Sequence, residues 1–223
     1  MNNADPLPTS PRTATTTARK SPRRARWAGV AVGILALVAS AAPAAADHVA
    51  PLLVCSTGPS GQRFNVGVTL PDQVEPGSTY SVRIDGVSSG KISHFGLNYL
   101  HDMTVEYVLP ATASYVEGTA ELVPGTGTAN VLVGPRLSHR AGVVTMVLPG
   151  HVDEGTSYTP PSIRFQLRAT GAPGSQAAVS FRQFRLTANA FLVGEVHVSC
   201  EPTVKPYPIG TTRILPGVQA SLP

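Results

Sequence analysis

Three absences bound this 223-residue chain before any motif is read. Outside the first 46 residues no window shows sustained helical spacing of apolar side chains, so the reading left is all-β. No apolar run reaches the ~20 residues a helix needs to cross a bilayer. The one over residues 28–39 is too short, and nothing later approaches that length. Tryptophan is nearly missing too: the single Trp27 lies close to the N-terminus, which counts against an antibody-type domain with its Trp packed on the disulfide. There is no Asn-x-Ser/Thr acceptor and no Leu-Pro-x-Thr-Gly signal, so covalent wall attachment is not expected.

What stands at the N-terminus reads as an export signal. Arg19, Lys20, Arg23, Arg24 and Arg26 form a positive segment, the short apolar run follows, and Ala44-Ala45-Ala46 supplies the small residues that precede a cut after Ala46. Arg23-Arg24 invites a twin-arginine reading, but Arg26 and Trp27 replace the usual apolar pair, which favours the general pathway. This leader holds six of the 17 basic and one of the 13 acidic residues, leaving 11 against 12. The mature chain is thus close to neutral, and the basic footprint of a nucleic-acid binder is missing.

Two cysteines remain, Cys55 and Cys200, near the ends of the strand-like region. Exported chains meet oxidising conditions, so the pair is expected to form a disulfide. Closing 144 intervening residues would remove roughly 5 kcal/mol of unfolded-state freedom in the chain-entropy description. The rival is an acylated Cys55 after Leu52-Leu53-Val54, but Val54 is bulky for that position.

Alternation sets the strands. Phe64, Val66, Val68 and Leu70 share one side, as do Tyr80, Val82 and Ile84. Met103, Val105, Tyr107 and Leu109 form another inward set, with Thr104 and Glu106 facing water, and Ile163, Phe165, Leu167 and Ala169 give the cleanest period of two. Further strands are expected over residues 130–133 and 141–148, the second stopped by Pro149-Gly150. Phe181 and Phe184 fall on opposite faces of one strand, which calls for a bulge between them. A last strand starts at Phe191 or Leu192 and ends at Cys200. The reading is a signal peptide over 1–46, one Ig-like β-sandwich of about seven to nine strands over 47–205, and a Pro-rich tail over 206–223 that either lies along the sheet edge or is disordered.

Several of these residues form a resemblance. An early strand cysteine, Leu148-Pro149-Gly150, Thr156, Tyr158, Pro160-Pro161, the strand end Leu167-Arg168-Ala169-Thr170-Gly171 and a final strand cysteine resemble a family of secreted actinobacterial β-sandwich proteins. Its members are mostly uncharacterised, and some carry the labels "cyclase" or "dehydratase". The resemblance spans most of residues 50–205. It implies fold and export and supplies no catalytic residues.

Candidate chemistry is sparse. Gly86-Val87-Ser88-Ser89-Gly90 matches G-x-S-x-G, but that nucleophile needs a strand-to-helix turn, and here a Gly/Ser turn is expected. His101-Asp102 and His151-Val152-Asp153-Glu154 lie beside strand ends, where loops could gather His101, Asp102 and His151 into a polar pocket with a histidine general base, though solvated loop polars account for them more simply. Asp153 and Glu154 are the candidates for a Ca²⁺ site, though no Gly-rich acidic loop surrounds them. Phe181-Arg182-Gln183-Phe184-Arg185 mixes aromatics and cations as a single-strand nucleic-acid surface does, yet core phenylalanines beside solvated arginines account for it. The six tyrosines leave a weak case for sugar platforms. No cofactor and no nucleic acid is expected. The leading reading is a secreted noncatalytic module that binds an envelope protein or small molecule. Beside it stand a hydrolase or lyase using the His/Asp residues, and a carrier of an apolar small molecule whose sign would be an unusually large internal cavity.

Overall fold

The computed structural model describes residues 47–57, 61–93, 96–129 and 134–216. The leader, His94, the strand expected over 130–133 and the chain after residue 216 lie outside the described residues. The chain runs through β1 (Asp47–Val49), β2 (Leu52–Cys55), β3 (Gln62–Arg63), β4 (Val66–Thr69) and β5 (Gln73–Val74). It continues through β6 (Thr79–Gly86), β7 (Leu97–Val108), β8 (Ala113–Tyr115), β9 (Glu121–Val123) and β10 (Arg136–Arg140). Last come β11 (Val143–Asp153), β12 (Ser162–Ala169), β13 (Gln176–Ala190), β14 (Gly194–Pro202) and β15 (Tyr207–Ile214).

These strands make two sheets, as an all-β sandwich requires. Sheet one follows the order β1-β4-β6-β12-β8, with β9 also on β12. Sheet two follows β10-β11-β7-β13-β14-β2-β3, with β15 on β13 and β5 on β15. Every pairing is antiparallel except β5 with β15. The strand count exceeds the expected seven to nine largely because β1, β3, β5, β8 and β9 are pieces of two or three residues. They cover edges that would otherwise present bare backbone, and pieces so short leave no periodicity to read.

The inward sets meet as expected. Val82, Ile84, Phe165 and Leu167 from sheet one and Met103, Val105, Val144 and Phe181 from sheet two belong to one buried cluster. Phe64 stacks on Phe181 at 4.7 Å and on Phe184 at 5.7 Å, which ties β3 to β13. Phe165 and Phe181 are fully buried, each representing about 3–5 kcal/mol if truncated to alanine. Glu106 does not face water freely: its side chain is 13% exposed beneath Arg182 at 3.4 Å and Arg185 at 3.9 Å.

Sheet two carries a line of irregularities. The expected bulge in β13 is present, with a register shift against β7 between Phe181 and Gln183. Pro149-Gly150, however, does not stop its strand. β11 passes through it with a shift between Leu148 and His151, Gly150 taking a positive φ of 89°, which glycine adopts at little steric cost. Opposite it Asp102 holds a φ of 50°, and β13 shifts again between Arg185 and Thr187. The bulges absorb the turn residues, so β7 and β11 continue well beyond the ends read from the pattern.

Two further segments take definite places. Within the Pro-rich tail β15 lies along sheet two, pairing with the first half of β13 from Gln176 to Phe181 and burying Ile209, Thr212 and Ile214. Pro208 sits at a register shift in that ladder, one of the few places a sheet tolerates proline. Phe191 and Leu192 do not begin the last strand. They form the tip of the β13–β14 hairpin with Val193, at 79%, 80% and 71% exposure, and Phe191 N–H donates to Gly96 O at 2.8 Å.

Sheet one ends where Pro160-Pro161 precede β12. A Cβ on Gly86 would lie 2.0 Å from Pro160 O, so only glycine admits the close approach that seals β6 against this segment. Sheet two runs on past that point. On its inner face Val179 and Phe181 are fully buried, whereas Leu186, Ala188 and Ala190 are only partly covered.

Ile214→Ala is expected to cost about 2–5 kcal/mol in denaturant unfolding, as for a core side chain; a change within ~0.5 kcal/mol would mark residues 207–214 as a loose tail. Burial pushes the Tyr80 phenol from its ordinary 10 up to about 12. It raises those of Tyr107 and Tyr158 too, Tyr107 being raised further by Tyr158 beside it. Because the unfolded chain ionises first, this stability is complete below pH ~10 and lost as pH rises from there through the folded values. Urea midpoints should therefore fall from about pH 10 upward, with phenolate absorbance rising in step with unfolding.

Candidate functional site

Past the line of bulges, sheet two offers two chemically different faces. On the outer face a row crosses four strands: His151 of β11 opposes His101 of β7, which opposes Thr187 of β13, which opposes His197 of β14. Side chains two residues along share a face, so a second row of Asp153, Tyr99, Asn189 and Glu195 lies beside it. The Tyr99 ring is 5.5 Å from that of His101 and 5.1 Å from that of His151.

His101 Nδ1 lies 2.9 Å from Asp102 Oδ2, and His151 Nε2 lies 3.1 Å from Asp153 Oδ1. Thr187 Oγ1 and His197 Nδ1 are 3.0 Å apart. Glu195 Oε1 comes within 3.3 Å of His101 Nε2, but off the direction a hydrogen bond needs, which leaves that buried nitrogen without one. The structure thus brings His101, Asp102 and His151 together, though inside strands rather than in end loops. Cross-strand register does this, and no spacing within the sequence reports register. Tyr99, Thr187, Glu195 and His197 were missed for the same reason.

Beside the row a depression of about 300 Å³ is lined by Asp102, Thr187 and His197 among others. Asp153 turns to His151, while Glu154 is exposed in the following turn, its N–H donating to Asn98 O at 3.0 Å. Among the described residues no three His, Cys, Asp or Glu side chains are placed to hold an ion. Ser88 sits in the loop after β6, its Oγ accepting from Gly90 N–H at 3.2 Å, with no helix behind it. Arg182 and Arg185 flank Glu106 while Phe181 is buried and Phe184 partly so; the phenylalanines therefore offer no stacking platform beside the arginines. His139 packs on Tyr115 at 4.2 Å and lies 3.1 Å from Glu117.

The inner face is different. A cavity of about 820 Å³ lies between the overhanging half of sheet two and the segments around residues 87–93 and 158–160. Leu100, Leu186, Ala188, Val196 and Val198 line it on the sheet side. Ile92, Tyr158 and Pro160 face them, and Leu53, Phe64 and the Cys55–Cys200 disulfide form a further wall. Leu192 and Val193 carry the apolar lining out to the exposed hairpin tip. Cys55 opposes Cys200 directly in the β2–β14 ladder, and its place in the disulfide leaves no thiol for acylation. The Tyr158 hydroxyl is buried without a hydrogen-bond partner among the described residues. No sequence signal foretold this cavity, since its lining comes from eight separated stretches of chain and consists of residues that read as ordinary core.

No protein-family model matches this sequence, and no curated protein matches it. Among solved structures, a Corynebacterium diphtheriae protein described as membrane anchored is similar at 15% identity and a TM-score of 0.45. The similarity covers 76% of this chain, which spans only 38% of that one. A cohesin module of a Clostridium perfringens family 33 glycoside hydrolase has 11% identity and a TM-score of 0.35, over 68% and 96% of the two chains. The collagen-binding domain of a Staphylococcus aureus adhesin has 10% identity and a TM-score of 0.34, over 61% and 88%. At identities and TM-scores this low, nothing about function passes from them to this chain.

Proposed function

We propose that this chain is an exported, noncatalytic β-sandwich binding module whose ligand is an apolar small molecule held in the cavity at the overhanging end of sheet two. The observation that carries this is the cavity itself. At about 820 Å³ it falls within the ~300–1,000 Å³ typical of ligand sites. Its lining is mainly aliphatic and aromatic, the composition expected of a site that binds by excluding water. Export is supported by the leader pattern and by the Cys55–Cys200 disulfide, a bond that persists in oxidising compartments. The hydrolase or lyase reading draws on His101, Asp102 and His151, none of which lines this cavity.

Nile red, a neutral apolar dye, is the direct probe. The oxidised protein is expected to bind it with a blue-shifted, saturable fluorescence. Ala188→Trp fills the wall of the cavity and should weaken binding at least about tenfold, or about 1.4 kcal/mol, while the urea midpoint stays near that of the parent. The double variant His101→Gln, His151→Gln, on the opposite face, should bind as the parent does. Unaltered dye binding in Ala188→Trp would remove the cavity as the site.

A further inference from the structure

Resting on that reading, we propose that the ligand is an anionic amphiphile, a long-chain molecule whose carboxylate or phosphate head is held at the cavity mouth by Arg63 and Lys91 while its chain occupies the apolar interior. Arg63 and Lys91 are the charged residues of the described lining, and that lining contains no aspartate or glutamate. Acids nevertheless outnumber bases, 12 to 11, in the chain after residue 46, so a lining of one sign is a segregation of charge. Of the carboxylates at this end of the molecule, Asp102, Asp153 and Glu195 belong to the outer face of sheet two or its bulge, and Glu154 is exposed in the turn after β11, outside the cavity lining.

Both cations line the cavity and are also exposed, which places them at its mouth. They come from different walls, Arg63 from β3 at the edge of sheet two and Lys91 from the loop after β6. Arg63 donates one N–H to Ala50 O at 3.3 Å, and no ion pair among the described residues engages either cation. A guanidinium offers five donors in a planar fork that suits carboxylate and phosphate alike. Gln62, Asn65, Ser89 and Ser93 add neutral polar groups to the same lining. Cationic and polar at the mouth, aliphatic within, the cavity has the polarity of an amphiphile with its head outward.

Competition against Nile red separates the possibilities with three compounds of one chain length: hexadecanoate, hexadecyl phosphate and hexadecanol. Both anions are expected to displace the dye at concentrations at least about tenfold below the alcohol. The double variant Arg63→Glu, Lys91→Glu should abolish that advantage, displacement being read against the variant's own dye affinity. Whichever anion displaces better identifies the head group. Equal displacement by all three compounds, unaffected by the charge reversal, would overturn the anionic assignment and leave the apolar site standing. No saturable dye binding by the parent protein would overturn both.

Discussion

Strand β13 pairs with β7 from Ser180 to Ala190, and its neighbour on the other side changes midway, β15 flanking its first half and β14 its second. Backbone hydrogen bonds are obligatory for any buried strand, so this shared use of one long strand fixes how far sheet two extends. Sheet one has no equivalent. Its strands stop at Gly86 and Ser162, where Pro160-Pro161 withdraw backbone donors. The unequal reach of the two sheets leaves a stretch of inner face that no opposing strand covers, and the cavity is the space between that stretch and the loops that close over it.

The disulfide belongs to the same construction. β2 meets β14 through the Cys200, Glu201 and Pro202 pairs, extended by Ser56 N–H to Ser199 O and Thr203 N–H to Leu52 O, a short ladder near the sheet edge. A covalent link across it keeps β2 and, through the Leu52 and Leu53 pairings, β3 in place. Leu53, Arg63 and Phe64 therefore stand as a fixed wall of the cavity. Phe64, stacked on Phe181 and Phe184, joins that wall to the main core. The bond thus organises a site as well as restricting the unfolded chain.

The bulges at Asp102, at Pro149-Gly150 and in β13 do a second job. They reset the alternation so that His101, His151 and His197 share the outer face while Leu100, Leu186 and Val198 share the inner one. A slip of one residue exchanges the faces of a strand, so without these irregularities polar and apolar sets would change sides. Asp102, Asp153 and Glu195 go with the histidines, and the cavity lining holds aliphatic side chains and two cations.

Much of the fold was legible in the residues. Strict alternation in residues 163–169 and 80–84, and the phase slip between Phe181 and Phe184, are local facts that local geometry reproduces. The cysteine pair and the close approach of His101 and His151 were anticipated as residues, but the setting of the histidines was not, because Pro149-Gly150 reads as a stop and only the β7 ladder turns it into a bulge. The chain after Lys205 left an edge strand and disorder both open, since its prolines mask a period of two, and pairing with β13 decided for the strand. By itself the sequence determined an all-β sandwich with its inward faces and a single disulfide, since period and composition are properties of neighbours in the chain. Only the tertiary structure decided that sheet two outreaches sheet one, and with it the cavity and its one-sign mouth. Strand register and relative sheet length are relations between distant segments, and no local pattern encodes them.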